Sequence, residues 1–218
     1  MTSSRTRWTL PALVAAAVWA APAAAQHQHG HQHAPPASAG TAVDSTLPYN
    51  ERYAWTEADA HFMSSMIGHH AQAVDMARLA PERASSNSIR ILAQRIINAQ
   101  HDEIATMQTW LRDRGLPVPE ADASHGGHGE LMPGMLTPEQ MARLQAATGA
   151  AFDQLFLELM IQHHRGAVSM VTRLFGTPGA GQDETVFKFA SDVNVDQTTE
   201  INRMQRMLAN LVFGGAAP

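Results

Sequence analysis

One pattern is written twice along the 218 residues of this chain. Phe62-x3-Met66-Ile67-x-His69-His70-x2-Ala73-Val74-x-Met76 returns as Phe156-x3-Met160-Ile161-x-His163-His164-x2-Ala167-Val168-x-Met170, at a constant offset of 94, with Asp59 falling on Asp153. Further on, Gln100-x2-Glu103-Ile104-x2-Met107-Gln108-x2-Leu111 returns as Gln197-x2-Glu200-Ile201-x2-Met204-Gln205-x2-Leu208 at an offset of 97. Chance does not keep so many identities in register. Each half reads as the same pair of segments, with three residues of difference in the connector.

Each segment has the period of a helix. Phe62, Met66, His69, Ala73 and Met76 follow 4-3-4-3 spacing, one stripe of an amphipathic helix, and Met63, Ile67, His70, Val74 and Ala77 form the adjoining stripe. Thr56 with Asp59 three residues on predicts the start, and Pro81 the end. A second helix is expected from Asn87-Ser88 to before Gly115, a third over about 150–175 and a fourth over about 183–211. Thr137-Pro138-Glu139-Gln140 combines a cap, a first-turn proline and a capping-box glutamine, which predicts a short extra helix over 138–148. The expected fold is all-α: a four-helix bundle of two related hairpins with a long crossover. The domain is bounded at 51–214, with repeats at about 55–112 and 149–212 and a linker at 113–148.

The N-terminus reads as an address. Arg5 and Arg7 precede a 16-residue apolar run from Leu10 to Ala25 ending Ala23-Ala24-Ala25, the form of a secretory signal cleaved near Ala25. The run is shorter than the ~20 residues that span a bilayer. A secreted or periplasmic chain of 193 residues, not inserted in a membrane, is expected. Residues 26–50 form a flexible arm carrying His27, His29, His31 and His33, a composition that captures divalent metal through neutral imidazole or else only solubilises. Loss of the leader moves the formal charge from −5 to −7, which leaves no basic surplus for nucleic acid. Cysteine is absent, which excludes disulfides, thiol catalysis and thiolate-held metal.

The chemistry lies in the histidine doublets. Burying His69, His70, His163 and His164 without partners would cost about 1–3 kcal/mol for each ring. One solution pairs them with Glu103, Glu200, Asp59, Asp153 or the glutamines. The other pairs them with metal, those carboxylates orienting the rings from behind. Imidazole and thioether without thiolate suit copper, as Cu+ or Cu2+, ahead of zinc or iron. Met66 stands one turn from His69 and His70, and Met160 from His163 and His164. Met76 and Met170, two turns away, serve a neighbouring site or simply the core. In the crossover, His125 and His128 with Met132 and Met135 form a second capture segment or anchor the loop.

These motifs, with Gly134-Met135-Leu136-Thr137-x3-Met141-x2-Leu144 between them, resemble the DUF305 family over residues 55–212. The resemblance implies a ferritin-like helical bundle, secretion, and copper binding through His69, His70, His163 and His164, then Met66, Met160, Met76 and Met170. Val171 stands where the first half has Ala77, and Thr198 where it has His101, so the halves need not bind alike. The expected function is non-enzymatic copper sequestration or transfer, with the metal ion, and a protein that delivers or receives it, as partners. The alternatives are a ferritin-like dinuclear oxidase, for which the carboxylates are too few, and a metal-free helical interaction domain.

Overall fold

The computed structural model describes residues 54–121 and 131–214. The expected leader, the expected arm with His27, His29, His31 and His33, and the crossover histidines His125 and His128 lie outside the described residues. Among the described residues the chain is all helical: α1 (Glu57–Ala77), α2 (Ala80–Arg83), α3 (Asn87–Asp113), α4 (Pro138–Ala146), α5 (Gly149–Phe175) and α6 (Glu184–Phe213). The sole β feature there is an isolated bridge between Ala84 and Gly149.

Local chemistry sets the boundaries. Thr56 and Asp59 close a capping box at α1, as Thr137 and Gln140 do at α4, where Pro138 sits in the first turn. Asp183 caps α6 by accepting from the Thr185 and Val186 amides. Helix α1 ends shortly before Pro81, the expected stop signal. The helix stops at Ala77, and the proline enters the first turn of the separate one-turn α2, where it removes no needed donor.

Helix α1 packs on α3, α5 on α6, and α1 on α5 across the halves. Every long helix contributes to two apolar clusters. One holds Met76, Leu92, Ile96, Phe152, Phe156, Met160 and Met204. The other holds Phe62, Met66, Ile104, Met107, Met170, Val186 and Phe189. Between these clusters, at mid-length of the same four helices, lie the buried polar residues His69, His70, Gln100, His163, His164 and Gln197. The core is therefore two oily ends with a polar waist.

Two buried aspartates lock the halves together. Asp59 on α1 accepts from Thr56 at its own helix start and, at 2.7 Å, from the Gly181 amide in the α5–α6 loop. Gly181 has φ +68, which a side chain would strain. Asp153 on α5 accepts in turn from the Ser85 and Ser86 amides, at 3.1 and 2.9 Å, and from the Ser85 hydroxyl, ahead of α3. Each aspartate thus holds the loop of the opposite half. Neither bonds a histidine, so the pairing of Asp59 and Asp153 with the imidazoles is corrected.

Replacing Asp153 with Ala strands two loop amides, and the loss expected in urea unfolding is about 2–3 kcal/mol. Arg78→Ala, which removes an exposed ion pair with Asp75, should change stability by no more than about 0.5 kcal/mol. Equal effects would mean that Asp153 is not a clamp.

Candidate metal centre

Adjacent positions on a helix diverge by about 100°, so each doublet sends its rings two ways. His70 and His164 turn toward the partner helix of their own hairpin. His164 donates from Nε2 to Glu200 Oε2 at 2.7 Å, and His70 Nε2 lies 2.9 Å from Glu103 Oε2, without the alignment of a good hydrogen bond. His69 and His163 turn toward each other across the α1–α5 contact, with ring centroids 3.9 Å apart and planes at 42°. All four residues are at most 1% exposed.

The connector closes over this pair. His69 Nε2 donates to the Pro133 carbonyl at 3.0 Å. Gln72 holds Leu136 at both ends, donating to its carbonyl at 3.1 Å and accepting from its amide at 2.7 Å. Gln162 donates to the Gly134 carbonyl at 3.3 Å. A Cβ on Gly166 would fall 1.9 Å from the Pro133 oxygen, and one on Gly134, at φ +79, would meet the α5 backbone at 2.7 Å. Backbone lies on backbone there, and only glycine admits it.

A carbonyl and a carboxylate only accept, so Nε2 carries the hydrogen in His69 and His164. Their Nδ1 atoms are left with no partner. His70 Nδ1 and His163 Nε2 are buried and unpartnered as well, and so are the side-chain oxygens of Gln100 and Gln197. Four buried imidazoles thus each hold a nitrogen free of protein partners, and two have a carboxylate behind the ring. No three His, Asp or Glu side chains among the described residues converge into a ready-made cation shell.

The thioethers are distributed differently. Met66, Met76 and Met160 are fully buried within the apolar clusters. Met170 lines a surface pocket together with Met132 and His61. His61 carried no signal in the repeat, because its equivalent in the second half is Leu155.

Burial sets the proton affinity of the central pair. His69 is pushed down from its ordinary 6.5 to about 3, by desolvation first and then by the nearby His70, the Pro133 carbonyl opposing. His163 is held well below 6.5, again by desolvation first, then by His69, His164 and His70. Outside the waist, partial desolvation, followed by the charges of Glu103, Asp192 and Glu200, raises the Asp196 carboxyl above its usual range.

Two expectations follow. Folded His69 and His163 refuse protons that the unfolded chain accepts below 6.5, so the unfolded state binds more protons and stability rises with pH. Stability should be complete above 6.5 and decline toward pH 3, by up to about 1.4 kcal/mol per pH unit for each ring. Urea midpoints of a His69→Gln/His163→Gln double variant should show a flatter dependence, and an unchanged slope would refute the assignment. Separately, Gly166→Ala should lose about 1–3 kcal/mol by overpacking and speed hydrogen exchange at the Leu136 amide. Undiminished protection at Leu136 would show that the connector is not held there.

The family model for a domain of unknown function, DUF305, matches residues 59–208. Among curated proteins none matches the sequence. Among solved structures, a DUF305 protein of Streptomyces coelicolor is 31% identical, with TM-score 0.61, over 71% of this chain and 93% of its own. A DUF305 fragment from Deinococcus radiodurans is 29% identical, with TM-score 0.62, over 72% and 98%. CopM in its Cu(II)-bound form is 32% identical, with TM-score 0.57, over 70% and 96%, and other CopM structures hold Cu(I) or silver. This chain belongs to the DUF305 family.

Proposed function

We propose that this protein is a secreted or periplasmic copper-binding protein that sequesters or hands on the ion without turnover. The observation that carries the reading is the set of four buried imidazoles, each keeping a nitrogen that no protein atom satisfies. An unpaired buried polar atom costs about 1–3 kcal/mol, and a neutral imidazole nitrogen is also a good ligand for copper. Glu103 and Glu200 stand behind His70 and His164 as outer carboxylates stand behind metal-bound histidines. The likeness to CopM, solved with Cu(I), Cu(II) and silver, supports the choice of metal.

The finer organisation belongs to the same proposal. The helices form a ferritin-like four-helix bundle of two duplicated hairpins, preceded by a leader cleaved near Ala25 and a histidine arm over 26–50 that gathers metal. No helix among the described residues is long and apolar enough to cross a membrane. His69 and His163, face to face, supply two neutral nitrogen donors to one ion, and the mature chain carries the ion for a delivery partner.

Copper titration of the mature chain tests this. Replacing His69, His70, His163 and His164 with Gln should remove the copper held at the buried imidazoles and leave copper bound elsewhere on the chain. At free copper one hundred times the dissociation constant, the unaltered bundle should gain about 2.7 kcal/mol of stability. If the fourfold variant, still helical by circular dichroism, keeps both copper stoichiometry and stabilisation, the buried histidines are not the site.

A further inference from the structure

A second donor group lies outside the waist. Between α1, α5 and the connector is a pocket of about 240 Å3 whose lining includes His61, Met132 and Met170. The three come from different elements and differ in depth: His61 is exposed, Met132 is half-buried, and Met170 is 8% exposed. Phe62 and Leu174 give it apolar walls, and the Arg173 side chain also lines it. No carboxylate lines it.

We propose that this pocket is a surface-accessible soft-metal site taking a monovalent d10 ion, Cu(I) or Ag(I), on His61, Met132 and Met170. Thioether sulfur is neutral and polarisable and selects such ions over hard divalent ones. Without a carboxylate, and with the Arg173 guanidinium at its edge, the pocket offers no charge compensation for a dication. A monocation bound to two sulfurs and an imidazole needs far less.

The placement of Met132 is built. At Gly68 on α1 the Met132 methyl lies 3.8 Å from where a Cβ would stand, so the side chain rests on bare helix backbone. The next residue, Pro133, lines the same pocket and accepts from His69. A single connector peptide therefore separates this site from the buried imidazoles, where an outer loading position would lie. The second half has no twin, because Leu155 replaces His61 and the counterpart of Met170, Met76, is fully buried.

The site rests on its own donors and is tested apart from the histidine waist. The mature chain, labelled with 13C at its methionine methyls and fully reduced, is titrated with Ag(I) and followed by NMR. The Met132 and Met170 methyls should shift together within the first equivalents, whereas Zn(II) should leave them unmoved. His61→Ala should weaken that response by about tenfold or more, the loss that even outer-shell changes cause at metal sites. Met132→Leu/Met170→Leu should abolish one equivalent of Ag(I) uptake. The His69, His70, His163 and His164 to Gln variant should keep the methyl response, which separates failure of the waist from failure of the pocket. Silver uptake with both methyls unmoved, a response confined to Met66 and Met160, or unchanged stoichiometry in the leucine variant would overturn the proposal.

Discussion

Four imidazoles in a dry interior impose the constraint around which this fold is arranged. A ring nitrogen buried away from water needs a partner, and an apolar helix face supplies none. The chain answers from its own helices for His164, whose Nε2 donates to Glu200 on α6, and sets Glu103 on α3 beside His70 without a well-aligned hydrogen bond. For His69 no neighbouring helix offers an acceptor, so the connector does, through the Pro133 carbonyl. That solution obliges the connector to lie directly on α5, which in turn requires glycine at 134 and 166. The crossover is thus pulled inward by a histidine and admitted by two missing side chains.

The same reciprocity appears at the ends of the domain. Asp59 and Asp153 occupy matching places in the two halves, and each holds a loop of the other half. Neither hairpin completes its own loop hydrogen bonds. The α1–α5 contact is therefore held by polar clamps as well as by the apolar clusters on either side of the waist. A carboxylate that accepts several backbone N–H groups is a strong tie where short loops leave amides bare. These ties explain why Asp59 and Asp153 repeat in register although they stand apart from the histidines.

Much of this was legible in the sequence, because period and spacing report which face of a helix a residue occupies. The 4-3-4-3 stripes place His69, His70, His163 and His164 inward, and the caps at Thr56 and Thr137 mark helix starts within a residue or so. Spacing along one helix says nothing about what faces it from another, so Asp59 and Asp153 could not be told apart from Glu103 and Glu200 as histidine partners. The route of the connector did leave a trace, in the places where the repeat breaks. Gly68 and Gln72 on α1 correspond at the same offset to Gln162 and Gly166 on α5. Each glutamine ties a connector peptide, Gly166 makes room for the Pro133 peptide, and Gly68 lies against the Met132 methyl. The two residue types exchange places because a single strap crosses both helices in an otherwise repeated pattern.

The waist also explains how its central pair, His69 and His163, can stay neutral donors. Protonating one ring in that interior would place a charge beside three other imidazoles with little water to stabilise it, which is why His69 and His163 are held so far below their ordinary range. A proton, the commonest competitor of a metal for imidazole, is thereby excluded by the same burial that leaves the nitrogens unpaired. A soft monocation differs from a proton in the strength of its bonding to nitrogen and sulfur, and Glu103 and Glu200 supply negative charge behind two of the rings. Dryness, which weakens the claim of a proton, strengthens the claim of an ion that sheds its water readily and whose charge the flanking carboxylates offset.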